Sequence, residues 1–170
     1  MFNQVHQVDL TDKSFIRGGF IPITSINNTV LFGFPLDRKI ATLTDFGGHR
    51  EDFDGDILDS ALREYSEESY NLFGKLSREY VMNNYVLIGY DTIEIFLPVS
   101  NNILDHSLRF RELVQQHCNS ESQSLIWLTK KQVLSFLDNP SLSFDGVEVY
   151  RSYYRIRDTL RDHRSLIESM

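Results

Sequence analysis

Nine acidic residues crowd the stretch from Asp45 to Glu68, and only Arg50 and Arg63 oppose them. Such a run either folds as solvated surface or gathers around a cation, because clustered carboxylates repel and burial makes each one harder to ionise. Its setting narrows the choice. Gly47 and Gly48 come first, then the polar segment His49-Arg50-Glu51-Asp52, then a helical pattern. Ile57, Leu58, Ala61, Leu62 and Tyr65 recur at three- and four-residue spacing, which predicts an amphipathic helix over Ile57 to Leu72. With Ala61 at the origin, the apolar stripe centres near about +30°, Glu68 falls near about −20°, Glu64 near about −60° and Glu67 near about −120°. The carboxylates thus run outward from the border of the buried face. A divalent cation would relieve both repulsion and burial, since Mg²⁺ is held by one or two carboxylates together with substrate phosphate oxygens. Glycines just before the acids would let the backbone approach an ion or a phosphate closely.

Around this segment the chain alternates strand and helix patterns. Phe15 to Thr24 and Thr29 to Pro35 are rich in β-favouring residues and read as a hairpin closed by Ser25-Ile26-Asn27-Asn28. Pro22 and the nearby glycines suggest an edge or bulged strand. A third strand is expected at Lys39 to Thr44, and two more at Tyr85 to Tyr90 and Thr92 to Val99. Helices are expected at Leu108 to Cys118 and Lys130 to Leu137, the latter stopped by Asn139-Pro140, with a short strand at Ser124 to Leu128 between them. The spacing of Val149, Tyr153, Ile156, Leu160, His163 and Ile167 suggests a last helix over Val147 to Ile167. With no repeat or linker, the 170 residues are expected to form one mixed α/β domain, residues 1–170.

Composition excludes several classes. An apolar fraction of 41% and a charged fraction of 24% are those of an ordinary globular protein. No apolar run approaches the length of a membrane span, and Met1 to Lys13 lacks a signal-peptide pattern, so a cytoplasmic or nuclear location is expected. A net charge of −7 argues against a general nucleic-acid coat. The one basic patch is Arg151, Arg155, Arg157, Arg161 and Arg164, which reads more readily as a solvated face than as an RNA contact. Cys118 is the lone cysteine, and no Cys/His cluster suggests zinc.

The stretch from Gly48 to Asn71 resembles the Nudix box, G-x5-E-x7-R-E-U-x-E-E-x-G-U, where U is aliphatic. Gly48, Arg63, Glu64, Glu67 and Glu68 match, Tyr65 stands at an aliphatic position, and Gly47 fits the double glycine common in that family. Gly-Gly-Phe-Ile-Pro-Ile upstream and Leu125 to Leu128 downstream are similar too. Three departures stand out. Asp54 replaces the loop Glu, the spacing to Arg63 is one residue longer so that Asp56 could serve instead, and Tyr70-Asn71 replaces the terminal Gly-U. Asn71 or Gly74 could supply the turn that ends the helix. The Asp-Phe-Gly-Gly and Glu-Glu-Ser wording bears a faint likeness to Nudix proteins of large DNA viruses.

The resemblance implies a mixed sheet sandwiched between helices and a metal-dependent hydrolase. Its cofactor would be Mg²⁺ or Mn²⁺, and it would cleave a phosphoanhydride bond in a nucleoside diphosphate derivative: a nucleoside triphosphate, a dinucleoside polyphosphate, a nucleotide sugar or an mRNA cap. It further implies that Glu67 and Glu68, with the Gly47 carbonyl, hold the metal. Glu64 would bind or orient a metal-held water, Arg63 would hold Glu64, and a homodimer is a common assembly. Beyond the box, Glu121 is a candidate general base. Arg17, His49 and Arg50 are candidate phosphate contacts, and Trp127 a candidate base-stacking residue, although each also reads as an ordinary structural residue. The alternative is a non-catalytic nucleotide-binding or regulatory module with the same fold.

Overall fold

The computed structural model describes residues 3–139, 141–144 and 148–170, the strand residues 141–144 and 148–150 by backbone only. The strands are β1 (Asn3–Gln4), β2 (Arg17–Ile26), β3 (Thr29–Asp37), β4 (Thr42–Leu43), β5 (Phe46–His49), β6 (Tyr85–Ile88), β7 (Thr92–Pro98), β8 (Ser122–Thr129), β9 (Ser141–Phe144) and β10 (Glu148–Ser152). The helices are α1 (Ile57–Ser69), α2 (Arg78–Val81), α3 (Ile103–Gln116), α4 (Lys130–Asp138), α5 (Tyr154–Asp162) and α6 (Arg164–Ser169). Among the described residues, no helix is long and apolar enough to cross a membrane.

The hairpin forms where the asparagines allow it. Asn27 and Asn28 both take positive φ, 50° and 64°, as a tight two-residue turn between right-twisted strands requires. The strands make one mixed sheet in the order β1-β6-β7-β2-β3-β4-β10-β9, with β5 added to β2 and β8 to β3. Contrary to the edge position suggested by Pro22, β2 is central. It runs parallel to β7, while on its other side residues 17–20 pair with β5 and residues 23–26 with β3. Pro22 falls in the gap between those two partners, where a missing N–H costs no ladder bond.

Alternation along the strands builds two apolar layers. Phe20, Ile93, Ile95 and Leu97 face α1 and α3, packing with Ile57, Leu58, Ala61, Tyr65, Phe110 and Val114. Ile21, Phe32, Phe34 and Phe96 face the other way, against Val133, Phe136 and Leu137 of α4, Ile156 and Leu160 of α5, and Ile167 of α6. The result is the expected mixed α/β sandwich, helices on both faces of a mixed sheet.

Three boundaries differ from expectation. The strand expected at Lys39–Thr44 shrinks to Thr42–Leu43, because the Asp37 carboxylate accepts the N–H groups of Lys39 (2.8 Å) and Ile40 (3.0 Å) and turns the chain. Helix α3 begins at Ile103, ahead of the expected Leu108. The expected helix over Val147–Ile167 is instead a strand and two helices, with Val147 itself outside the described residues, as is Pro140. The reason is geometric. A four-residue interval such as Val149 to Tyr153 returns to the same face in a strand as well as in a helix, and β10 finds partners in β4 and β9.

Candidate functional site

Two glycine pairs face each other across the β2–β5 ladder, Gly18 opposite Gly48 and Gly19 opposite Gly47. Each pair opens one face of the sheet, and the two together open both. A Cβ on Gly48 would lie 2.5 Å from Glu64 Oε1, and one on Gly18 would lie 3.2 Å from the Cβ of Ala61. On the opposite face a Cβ on Gly47 would lie 2.8 Å from Asp45 Oδ2. Gly48 therefore makes room for a carboxylate of α1, and Gly47 for the buried Asp45.

The helix is anchored at its N-terminal end. Asp56 caps its N-terminus by accepting the N–H of Asp59 (2.9 Å), and Arg78 clasps Asp56 (2.8 Å) and Asp59 (2.6 Å). Midway, Arg63 is a hub. Its Nε and Nη2 donate to the two oxygens of Asp54 (3.1 and 2.9 Å), Nη2 also to the carbonyl of His49 (3.1 Å), and Nη1 to Glu64 (3.0 Å) and Glu67 (3.3 Å). Asp54, rather than Asp56, is thus the loop acid that faces Arg63. The Arg63 hydrogen bonds hold its carboxyl down at about 2.

The three acids of α1 differ in environment. Glu67 keeps 60% of its side-chain surface in solvent and pairs with Arg63. Glu64 is half-buried, and burial raises its carboxyl against the pull of Arg63. Glu68 is pushed up to about 8, first by burial and then by the negative charges of Glu121, Asp45 and Glu64. Beneath them lies a buried triad. Arg17 donates to both oxygens of Asp45 and to Glu94 Oε1 (3.1 Å), and the three residues are 3%, 1% and 0% exposed. Burial drives Glu94 well above the usual carboxylate range, assisted by the charge of Asp45. Burial also works against ionisation of Asp45, but the Arg17 guanidinium outweighs it and holds that carboxyl below its ordinary value. Arg17 therefore favours the ionised form of Asp45, while burial favours the neutral form of Glu94.

These elements wall a cavity of about 630 Å³. Gly47, His49, Arg63, Glu64, Glu67, Glu68, Glu121 and Arg17 all line it, so most of the candidate residues converge although Glu121 is remote in sequence. The Arg17 guanidinium is already committed to Asp45 and Glu94 and covered by the Tyr153 ring, 5.1 Å away. Arg50 and Trp127 are not in the lining. The Arg50 side chain reaches the carbonyl of Gly55 (3.5 Å), and Trp127 packs on the α1/α3 side of the sheet with its ring against the space at Gly33. Sequence patterns did not single out Tyr153, Thr42 or Thr44, which complete the wall, or Arg38 and Lys39, which line an adjoining hollow that shares Glu121. Tyr153 entered only as part of a helical spacing, and no local pattern marks any of them as site residues, because the sheet order brings them together.

Two further features bear on the expected chemistry. The basic residues of the C-terminal segment are largely neutralised: Arg155 pairs with Asp91, Arg157 and Arg161 with Asp158, and Arg164 with Asp138. Tyr70, where the resembled motif ends in glycine, takes a left-handed conformation with φ 55°, as does Asn71 with φ 56°. For a non-glycine residue that conformation costs roughly 1–2 kcal/mol. Both Tyr70 and Asn71 thus make the turn, with Gly74 at φ 94° following.

In charge and chemistry the donor set fits a divalent cation: a carboxyl held against ionisation by its neighbours, two more acids beside it, and backbone made approachable by Gly47 and Gly48. Among the described residues no three His, Cys, Asp or Glu side chains converge to enclose an ion unaided. Mg²⁺ characteristically needs fewer, taking one or two carboxylates and completing its shell with water and substrate phosphates.

No protein-family model and no curated protein matches the sequence. Solved structures do match in shape. A Nudix hydrolase from M. smegmatis, RenU, superposes with a TM-score of 0.51 at 10% identity, over 100% of this chain and 97% of that one. An Ap4A hydrolase from C. elegans gives a TM-score of 0.47 at 12% identity, over 90% of this chain and 98% of that one. The likeness to RenU, at so low an identity, shows a Nudix-like fold.

Proposed function

We propose that this protein is a metal-dependent pyrophosphohydrolase of the Nudix type, cleaving a phosphoanhydride bond in a nucleoside diphosphate derivative by attack of water at phosphorus. The observation that carries this reading is the wall of α1: three carboxylates face one cavity, one of them seated against Gly48, and two of them bonded to a single arginine. A solvated charged helix has no need for glycines carved to fit a carboxylate.

In this reading Glu67, Glu68 and the Gly47 carbonyl would hold Mg²⁺ or Mn²⁺, which when bound neutralises the diphosphate and lowers the pKa of water. Arg63 holds Glu64 in place through Nη1 and is itself fixed by Asp54, so Glu64 meets a water in one orientation. Glu121 stands in the same cavity as Glu68 and is the exposed carboxylate available to accept the proton of the attacking water. The new P–O bond forms as the bridging P–O bond breaks, releasing a nucleoside monophosphate and a phosphorylated leaving group. His49, at the cavity wall, is the candidate phosphate contact. A guiding role in RNA binding for the C-terminal arginines has little support, since acids neutralise most of them.

The test is formation of the cleavage products, a nucleoside monophosphate and the phosphorylated leaving group, from a panel of nucleoside triphosphates, dinucleoside polyphosphates, nucleotide sugars and capped RNA, with chelator, Mg²⁺ or Mn²⁺. Both products are expected with either metal and neither with chelator. Nucleotide binding without turnover under both metals would replace this reading with a non-catalytic nucleotide-binding module.

A second variant probes the carved glycine. Gly48→Ala places a methyl group on the Glu64 carboxylate, whose flexible end can move aside, so melting should change little. A shift of about 1 Å in a catalytic group commonly costs on the order of 100-fold in turnover. Steady-state rates and melting curves on the same preparations check this, and unchanged turnover would remove Glu64 from the mechanism.

A further inference from the structure

Helix α1 ends on Tyr70 with φ 55° and ψ 35°. A bulky side chain at positive φ is an outlier, and such strain persists where the surroundings over-determine it, most often at ligand sites. The turn alone does not need a tyrosine, because glycine or asparagine would make it at less cost. What tyrosine adds is a ring. That ring is stacked on the His117 imidazole, the centroids 3.9 Å apart and the planes 13° from parallel. His117, at the C-cap of α3, is itself tied down: its Nδ1–H donates to the Leu113 carbonyl (2.7 Å). Tyr70 lines the cavity that contains Glu64, Glu67 and Glu68, whereas His117 is not part of that lining. Of the two stacked residues the tyrosine is thus the one at the cavity, and the histidine ring orients it before a ligand arrives.

We propose that Tyr70, backed by His117, is the platform on which the substrate's nucleobase stacks. The proposal rests on the nucleotide reading above and adds to it the subsite for the base. It also accounts for the strained residue: the helix-ending glycine of the resembled motif is given up for an aromatic face beside the acids. A ring preset by a second ring loses little freedom on binding, and stacking tolerates any base because every base has a π-face.

Calorimetric binding of AMP, GMP, CMP, UMP and ribose 5-phosphate in the presence of Mg²⁺ tests it without requiring turnover. Wild type should prefer the nucleoside monophosphates to ribose 5-phosphate. Tyr70→Gly should erase that preference, by roughly 5- to 150-fold, while the melting temperature moves little, because release of the strain offsets the lost packing of the ring on the core. Tyr70→Asn, which keeps a turn-tolerant residue but removes the ring, should lose the preference as well, and Tyr70→Phe should keep it. Loss of the base preference in variants that melt normally is what a purely structural tyrosine does not produce. Retention of the full preference in Tyr70→Gly or Tyr70→Asn overturns the proposal, as does a wild type that binds ribose 5-phosphate equally well. A protein that shows the preference but never hydrolyses would refute only the hydrolase, and an active one indifferent to Tyr70 only the platform.

Discussion

Glu68→Gln is expected to lower metal-dependent substrate cleavage by more than about 100-fold, beyond the 10- to 100-fold typical of residues that only support a metal ligand, and yet to stabilise the metal-free protein. Both effects have one cause. The Glu68 carboxyl sits at about 8 in the folded chain, against an ordinary 4.5, because burial and then the charges of Glu121, Asp45 and Glu64 oppose its ionisation. Between those two values the folded state binds the proton more tightly than the unfolded state. The stability contributed by that proton is therefore full below about 4.5 and is lost as pH rises through about 8. Glutamine has no proton to lose, so the variant should melt above wild type near pH 8–9 and converge with it near pH 5. Adding Mg²⁺ at the higher pH should raise the melting temperature of wild type and leave the variant almost unmoved. Melting curves across pH with and without metal, alongside initial rates, check both halves. A variant as active as wild type would remove Glu68 from the metal site.

Arg17→Met is expected to cost about 3–5 kcal/mol of stability, since it leaves a buried carboxylate unpaired, and to lower melting by roughly 6–20 °C in a chain of this size. Asp45 is 1% exposed and Glu94 is not exposed at all, so water cannot replace the lost guanidinium. Adding Asp45→Asn removes the stranded charge and should recover much of the loss, giving a large coupling in a double-mutant cycle. This distinguishes the two roles open to Arg17. As a substrate contact its loss would raise KM in a normally stable protein; as the counter-ion of the triad its loss acts on the fold first. Denaturant melts of the two single variants and the double variant decide the matter, and a melting point within 2 °C of wild type, a margin of about 1 kcal/mol or less, would contradict the buried-charge argument.

How far the site could be read from the chain depends on the range of the interactions. The helical wheel ordered the acids of α1 correctly from the core border outward: Glu68 is the most perturbed, Glu64 intermediate, and Glu67, with 60% of its side-chain surface in solvent, the outermost. That order follows from 100° per residue and the positions of Ile57, Leu58, Ala61 and Tyr65, all local facts. The loop acid was not readable in the same way. Asp54 and Asp56 lie two residues apart in an irregular segment without a period, and the choice fell to Arg63, which takes Asp54, and Arg78, which takes Asp56 from outside the motif.

The same distinction separates the parts of the fold. Short-range chemistry dictated the hairpin at Asn27-Asn28, the amphipathic face of α1 and the glycines before it, because turn geometry, helical period and the absence of a Cβ act within a few residues. Folding in three dimensions chose the partners instead. It joined Arg17 to Glu94, 77 residues away, carried Glu121 across from Glu68, brought Tyr153 over Arg17, and made β10 a strand where a four-residue spacing fitted strand and helix alike. Those pairings depend on sheet order, and sheet order is set by which apolar faces bury together, a property of the whole chain.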